Sequence, residues 1–179
     1  MRARVGITTL ALGVAGCATD ANTERPPPSS GPAQHCFTGK MTSAAPVGGR
    51  APEMQVTLLR SMTPTTIQDV LLSQADGEAP RVDQVDLRVD EDRIMVVGSP
   101  RGDGEAHGQA GRWAVVRFKY EEAGGNNVEV ETLMGDDRLT ITRKRSTTDG
   151  LPVEEAEGTL FRNPLPECVK RLRGSTAKK

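Results

Sequence analysis

Three thiols, two imidazoles and a scatter of carboxylates are the groups of this 179-residue chain that could do chemistry beyond packing. The thiols stand at Cys17, Cys36 and Cys168, the imidazoles at His35 and His107. A structural zinc site needs several cysteines or histidines at short spacing. Beyond the adjacent His35 and Cys36, neither Cys36 nor Cys168 has such a neighbour, so no metal is expected. A histidine-dependent triad needs a nucleophile and an acid converging on an imidazole. Here His35 adjoins a proline-rich stretch and His107 lies in a glycine-rich one. The carboxylates Asp90, Glu91, Asp92, Asp136 and Asp137 fall where turns are expected and read as solvated turn residues. Their spacing lacks the calcium-loop pattern. No catalytic residue, ligand-binding residue or cofactor is assigned, and the chain reads as non-enzymatic.

Cys17 differs from the other thiols in what precedes it. Arg2 and Arg4 give a positive start, and Val5 to Val14 is an apolar run of signal-peptide length, too short to span a bilayer as a helix. Val14-Ala15-Gly16-Cys17 closes it. These four residues resemble the lipobox of bacterial lipoproteins, in which an aliphatic residue and two small ones precede a cysteine. The resemblance implies that residues 1–16 are a lipoprotein signal peptide, and that Cys17 is acylated and begins the mature protein. The membrane would then be held through the lipid. In Gram-negative lipoproteins an aspartate after the cysteine favours the inner membrane; Ala18 lacks that mark, which favours the outer membrane. An ordinary secretory signal ending near an unrelated cysteine is the alternative. The motif addresses place and leaves function open.

With Cys17 given to lipid, Cys36 and Cys168 remain as an even pair in a chain exported to an oxidising compartment, and a disulfide between them is expected. Closing so long a loop stabilises a fold by about 4 to 5 kcal/mol in the chain-entropy view. The bridge would staple the first strand to the last.

The elements that must hold these groups follow from composition and period. The chain has room for one domain with a core. Its 23 basic and 24 acidic residues, with two basic ones in the signal, leave a mature charge of about −3, which implies no nucleic-acid partner. Residues 17–34 contain Arg25-Pro26-Pro27-Pro28-Ser29-Ser30-Gly31-Pro32 and read as an extended linker. Residues 35–169 carry the β pattern. Residues 170–179, with Lys170, Arg171, Arg173, Lys178 and Lys179, read as a basic, flexible tail, or as a contact to an anionic envelope surface.

Within the patterned region a first strand is expected over Cys36–Met41 and a second around Met54, Val56 and Leu58, which alternate with polar residues. Thr66–Ala75 fits helical spacing as well as a strand; its β surroundings favour the strand. Val85, Leu87 and Val89 alternate into Asp90-Glu91-Asp92-Arg93, and the chain returns through Ile94-Met95-Val96-Val97. A turn at Glu91-Asp92 sets Val89 against Ile94 and Leu87 against Val96. Gly98–Gly111 reads as a polar loop holding Arg101, Asp103, Glu105 and His107. Next comes a strand with Ala114, Val116, Phe118 and Tyr120 inward and Trp113 and Val115 outward. A hairpin turning at Asp136-Asp137 follows, with Met134 against Leu139, Thr132 against Ile141 and Glu129 against Lys144. A last strand near Glu157–Phe161 ends at Asn163-Pro164-Leu165-Pro166.

About eight or nine strands joined mainly by short turns predict an all-β antiparallel meander forming a small barrel or sandwich. That architecture broadly resembles lipocalin-type barrels, although Phe37-Thr38-Gly39-Lys40 lacks the glycine-x-tryptophan signature many of them carry. The function that asks least of the sequence is a lipid-anchored envelope module, non-catalytic, meeting a protein partner or serving a structural role. The resemblance implies the alternative, a carrier of a small apolar ligand.

Overall fold

The structure, a computed structural model, describes residues 31–44, 52–99 and 101–176. Cys17, residues 1–16 expected as a signal peptide, most of the expected linker, residues 45–51, and Lys178 and Lys179 of the expected tail lie outside the described residues. The described residues form ten strands: β1 (Ala33–Ala44), β2 (Glu53–Met62), β3 (Thr66–Ala75), β4 (Arg81–Asp90), β5 (Arg93–Val96), β6 (Asp103–Gln109), β7 (Arg112–Glu121), β8 (Asn127–Met134), β9 (Arg138–Ser146) and β10 (Pro152–Asn163). One helix, α1 (Leu165–Thr176), follows them. The strands close into an antiparallel barrel in which each pairs with its sequence neighbours and β1 pairs with β10. Of the two expected all-β architectures, the barrel is the one that forms.

Alternation dictates the faces. Met41, Phe37, Val56, Leu58, Leu139, Ile141, Ala156 and Leu160 pack as one inner cluster; Met62, Ile67, Leu87, Val89, Ile94, Val96, Val116 and Phe118 belong to another. Val130 and Met134 touch both. Both anticipated hairpin registers are present: Val89 faces Ile94 and Leu87 faces Val96, while Met134 faces Leu139, Thr132 faces Ile141 and Glu129 faces Lys144. Glu91 makes its turn without glycine by taking a left-handed φ of 56°.

The outer face carries the charge. Arg117 bridges Glu105 and Glu131 at 3.2 and 2.9 Å, Lys144 meets Glu155 at 3.1 Å, and Lys119 approaches Asp103 at 3.8 Å. A mainly apolar interior under a mainly charged exterior differs from the apolar outer band of a membrane-spanning barrel. Among the described residues no helix is long and apolar enough to cross a membrane.

Several expectations need correcting. The described residues hold ten strands where about eight or nine were expected, the added one being β6. The first strand begins at Ala33, inside the anticipated linker, because its early residues pair with β2 from Met62 onward. Half of Gly98–Gly111, Asp103–Gln109, is strand β6, held between β5 and β7 although its residues have little β propensity. The faces at the start of β7 are reversed: Trp113 is core and Ala114 is exposed. The ladder sets Val115 against His107 and Trp113 against Gly108, so Ala114 is an extra residue, a bulge that shifts the alternation. Gly108 accommodates it with a φ of 136° that other residues rarely adopt.

The expected flexible tail from Lys170 is helical through Thr176. Pro166 sits in the first turn, where a missing N–H costs nothing, and Glu167 and Arg173 stand at the ends that suit the helix dipole. Leu165, Cys168, Val169 and Leu172 recur at three- and four-residue spacing. The helix lies outside the barrel against β1 and β2, and Thr57, on the face opposite the core residues Val56 and Leu58, is nevertheless buried. The disulfide between Cys36 and Cys168 is formed, with an S–S distance of 2.06 Å. It joins β1 to α1 rather than the first strand to the last.

Candidate functional site

The antiparallel register gives the barrel two rims. One carries Ala33, Met62, Asp90, Arg112 and Asn163; the other carries Ala44, Arg81, Glu121, Asn127 and Pro152. Period two also sends polar side chains inward on several strands. Arg60 follows Val56 and Leu58 on the inner face of β2, and Asp69 follows Ile67 on β3. Arg60 is fully buried and donates through Nε and Nη2 to the two oxygens of Asp69 at 2.8 and 2.7 Å. Its Nη1 has no partner. Arg60 is the cross-strand neighbour of both Asp69 and His35, so the pair crosses the wall beneath the first rim.

Toward the second rim, Asp69, Asp83, Tyr120 and Arg143 line a cavity of about 40 Å³. Leu58, Leu71, Val85, Phe118, Val130 and Ile141 complete its walls. Asp83 accepts from Arg81 Nε at 2.9 Å through one oxygen, and its other oxygen is buried without a partner. Arg143 stands between Val130 and Ala156 on the neighbouring strands and, among the described residues, makes neither a hydrogen bond nor an ion pair. Burial raises the Tyr120 phenol above its ordinary range, with Arg143 acting against the shift and Asp83 and Glu122 adding to it. Outside these groups, Arg145 pairs with Glu122, and Arg81 lies in the field of Glu122 and Glu154. The rim is thus ringed by ion pairs of both signs.

The residues singled out in the sequence lie elsewhere. Cys36 and Cys168 form the structural bridge. His107 is exposed on β6, 3.3 Å from Glu105. His35 sits at the first rim, its imidazole 6.3 Å from Phe37; burial, then Arg162, Arg60 and Arg112, depress its pKa below the ordinary histidine value. Asp90, Glu91, Asp92, Asp136 and Asp137 are exposed at turns, as their position implies. Among the described residues no three histidines, cysteines or carboxylates gather as a metal site would require. Sequence reasoning passed over Arg60, Asp69, Asp83 and Arg143. The signal that marks Arg60 is its phase: it continues the apolar alternation of β2 by one more step.

A shallower groove of about 460 Å³ lies outside, over Asp103, Glu105, Arg117, Lys119, Glu129, Glu131 and Lys144. Most of its charged groups already answer one another across strands.

No family model matches the chain, and no curated protein matches it. Among solved structures, it is similar to the S-type phycobiliprotein lyase CPES from Guillardia theta, with 11% identity and a TM-score of 0.51 over 76% of this chain and 89% of that one. The bifunctional dehydratase-cyclase domain in ambruticin biosynthesis is matched over 76% of this chain and 78% of its own at 14% identity, with a TM-score of 0.24. The first likeness is one of fold; the second carries no argument.

Proposed function

We propose that this chain is an exported lipoprotein in which acylated Cys17 holds a small, rigid, non-catalytic barrel at the outer membrane, for contact with an envelope protein partner or for a structural role. The observation that carries this reading is the buried disulfide between Cys36 and Cys168, a bond that persists in oxidising compartments outside the cytosol. It agrees with the lipobox-like Val14-Ala15-Gly16-Cys17. The packed interior supports a rigid module, and the engagement of Asp69 by Arg60 and of Asp83 by Arg81 leaves the cavity without a free acid and base pair. Cells fed labelled palmitate should incorporate it into the wild-type chain, and Cys17→Ser should abolish incorporation and move the protein out of the membrane fraction. Labelling and fractionation unchanged by Cys17→Ser would refute the anchor.

A second reading, a carrier, is favoured by one observation, the internal cavity with an unpartnered arginine in its wall. The apolar ligands of typical carrier sites need several hundred Å³. A cavity of about 40 Å³ narrows the carrier reading to a small ligand or to one part of a ligand.

A further inference from the structure

We propose that the cavity beneath the second rim takes the carboxylate of a small monocarboxylic acid, with Arg143 as its anchor; this deepens the carrier reading and rests on it. The argument starts from charge. Two carboxylates and one arginine line the cavity, and each carboxylate already has its own guanidinium, Arg60 for Asp69 and Arg81 for Asp83. Among the charged groups that line the cavity, the one without a direct partner is therefore Arg143. Its cross-strand neighbours on the inner face, Val130 and Ala156, cannot neutralise it. A guanidinium prefers a planar, two-oxygen partner, which a carboxylate supplies.

The other free valences fit the same group. The Tyr120 hydroxyl can donate to a second carboxylate oxygen. The unpartnered oxygen of Asp83 needs a donor, which a water entering beside the carboxylate or an α-hydroxyl on the acid provides. Volume sets the size: a water needs some 10 to 15 Å³ of such space, so about 40 Å³ accommodates a carboxyl group and little else. The rest of the ligand must point out of the barrel. Val82, Leu151 and Val153, at the strand ends and turn of that same rim, are exposed apolar side chains that a short hydrocarbon tail could cover. An uncharged alcohol of equal chain length would meet the same rim but leave Arg143 unpaired.

Tyr120 is the sole tyrosine of the chain, so its ring resonance reports on this cavity alone. The full chain carrying Cys17→Ser, so that no acyl group competes, would be titrated with hexanoate and separately with hexan-1-ol while that resonance is followed. Hexanoate should produce a saturable shift, with hexan-1-ol weaker by about tenfold or more. Arg143→Gln should weaken hexanoate by a similar factor, Arg143→Lys should keep part of the affinity, and Arg138→Gln, at the opposite rim, should change nothing. Thermal unfolding of each variant checks that the barrel is intact. Equal binding of hexanoate and hexan-1-ol, or hexanoate binding indifferent to Arg143→Gln, would overturn the carboxylate assignment and leave the carrier reading standing. No saturable shift with either compound would overturn both.

Discussion

Arg60 and Asp69 show what one enclosed pair demands of a barrel. Desolvating two charges is expensive, and mutual attraction with good geometry roughly offsets it, so such a pair adds little net stability. Removing one partner is another matter, because the survivor stays buried and uncompensated. Asp69→Ala should therefore lower unfolding free energy by about 3 to 5 kcal/mol, whereas Arg60→Met combined with Asp69→Leu should lie much closer to wild type. Denaturant unfolding of the two variants measures this; equal losses would mean that the cost is packing rather than charge. The pair was hard to read in the sequence for a physical reason. A charge is almost never fully buried without a partner, and the partner of Arg60 is fixed by the register of β2 on β3, which a single strand does not display. The run Val70-Leu71-Leu72 further conceals that Asp69 is the inward residue. Arg143 was missed likewise, as one more polar residue of Arg143-Lys144-Arg145 at the end of a strand whose early half is plainly alternating.

Hairpins were the elements most legible beforehand, because a buried face fixes register. Slipping the β8–β9 pairing by one residue would turn every core side chain to solvent. Ile141 is buried at 4% exposure in the packed interior, while Thr142 faces the external groove. Ile141→Ala should destabilise by about 2 to 5 kcal/mol and Thr142→Ala by no more than about 0.5 kcal/mol. Denaturant melts showing equal losses would contradict the face assignment. Where elements were misread, the local signal pointed two ways. Pro164 and Pro166 end a strand and also suit the first turn of a helix, so α1 looked like a terminator. β6 has a loop-like composition and becomes a strand through its neighbours. The single extra residue at Ala114 leaves no mark in composition, yet it exchanges Trp113 for Ala114 in the core.

At the scale of the whole molecule, the barrel was legible as a meander and its closure was not, since alternation names faces without saying whether the ends of the sheet meet. The interior cavity depends on side chains from strands β2, β3, β4, β7, β8 and β9 and has no linear signature. The disulfide was anticipated from thiol count, but its seat on a helix was not. It spans 132 residues, and the paired change Cys36→Ser with Cys168→Ser should cost about 2 to 5 kcal/mol. Unfolding midpoints of the variant and of the reduced wild type should agree; an unaltered midpoint in both would show that the bridge is dispensable. The seam between β1 and β10 has a further consequence, in the order of assembly. Every other strand pair joins neighbours along the chain, whereas the contact of Thr38 with Asn163 joins residues 125 apart. A ribosome or an export channel releases the first strand long before the last, so β1 must wait with one edge unpaired until β10 arrives. During that interval the chain offers the open edge on which strands of other chains can add. For this molecule the vulnerable time is before the ring closes, and a delay in releasing the last strand would promote aggregation more than an equal delay in the middle of the chain.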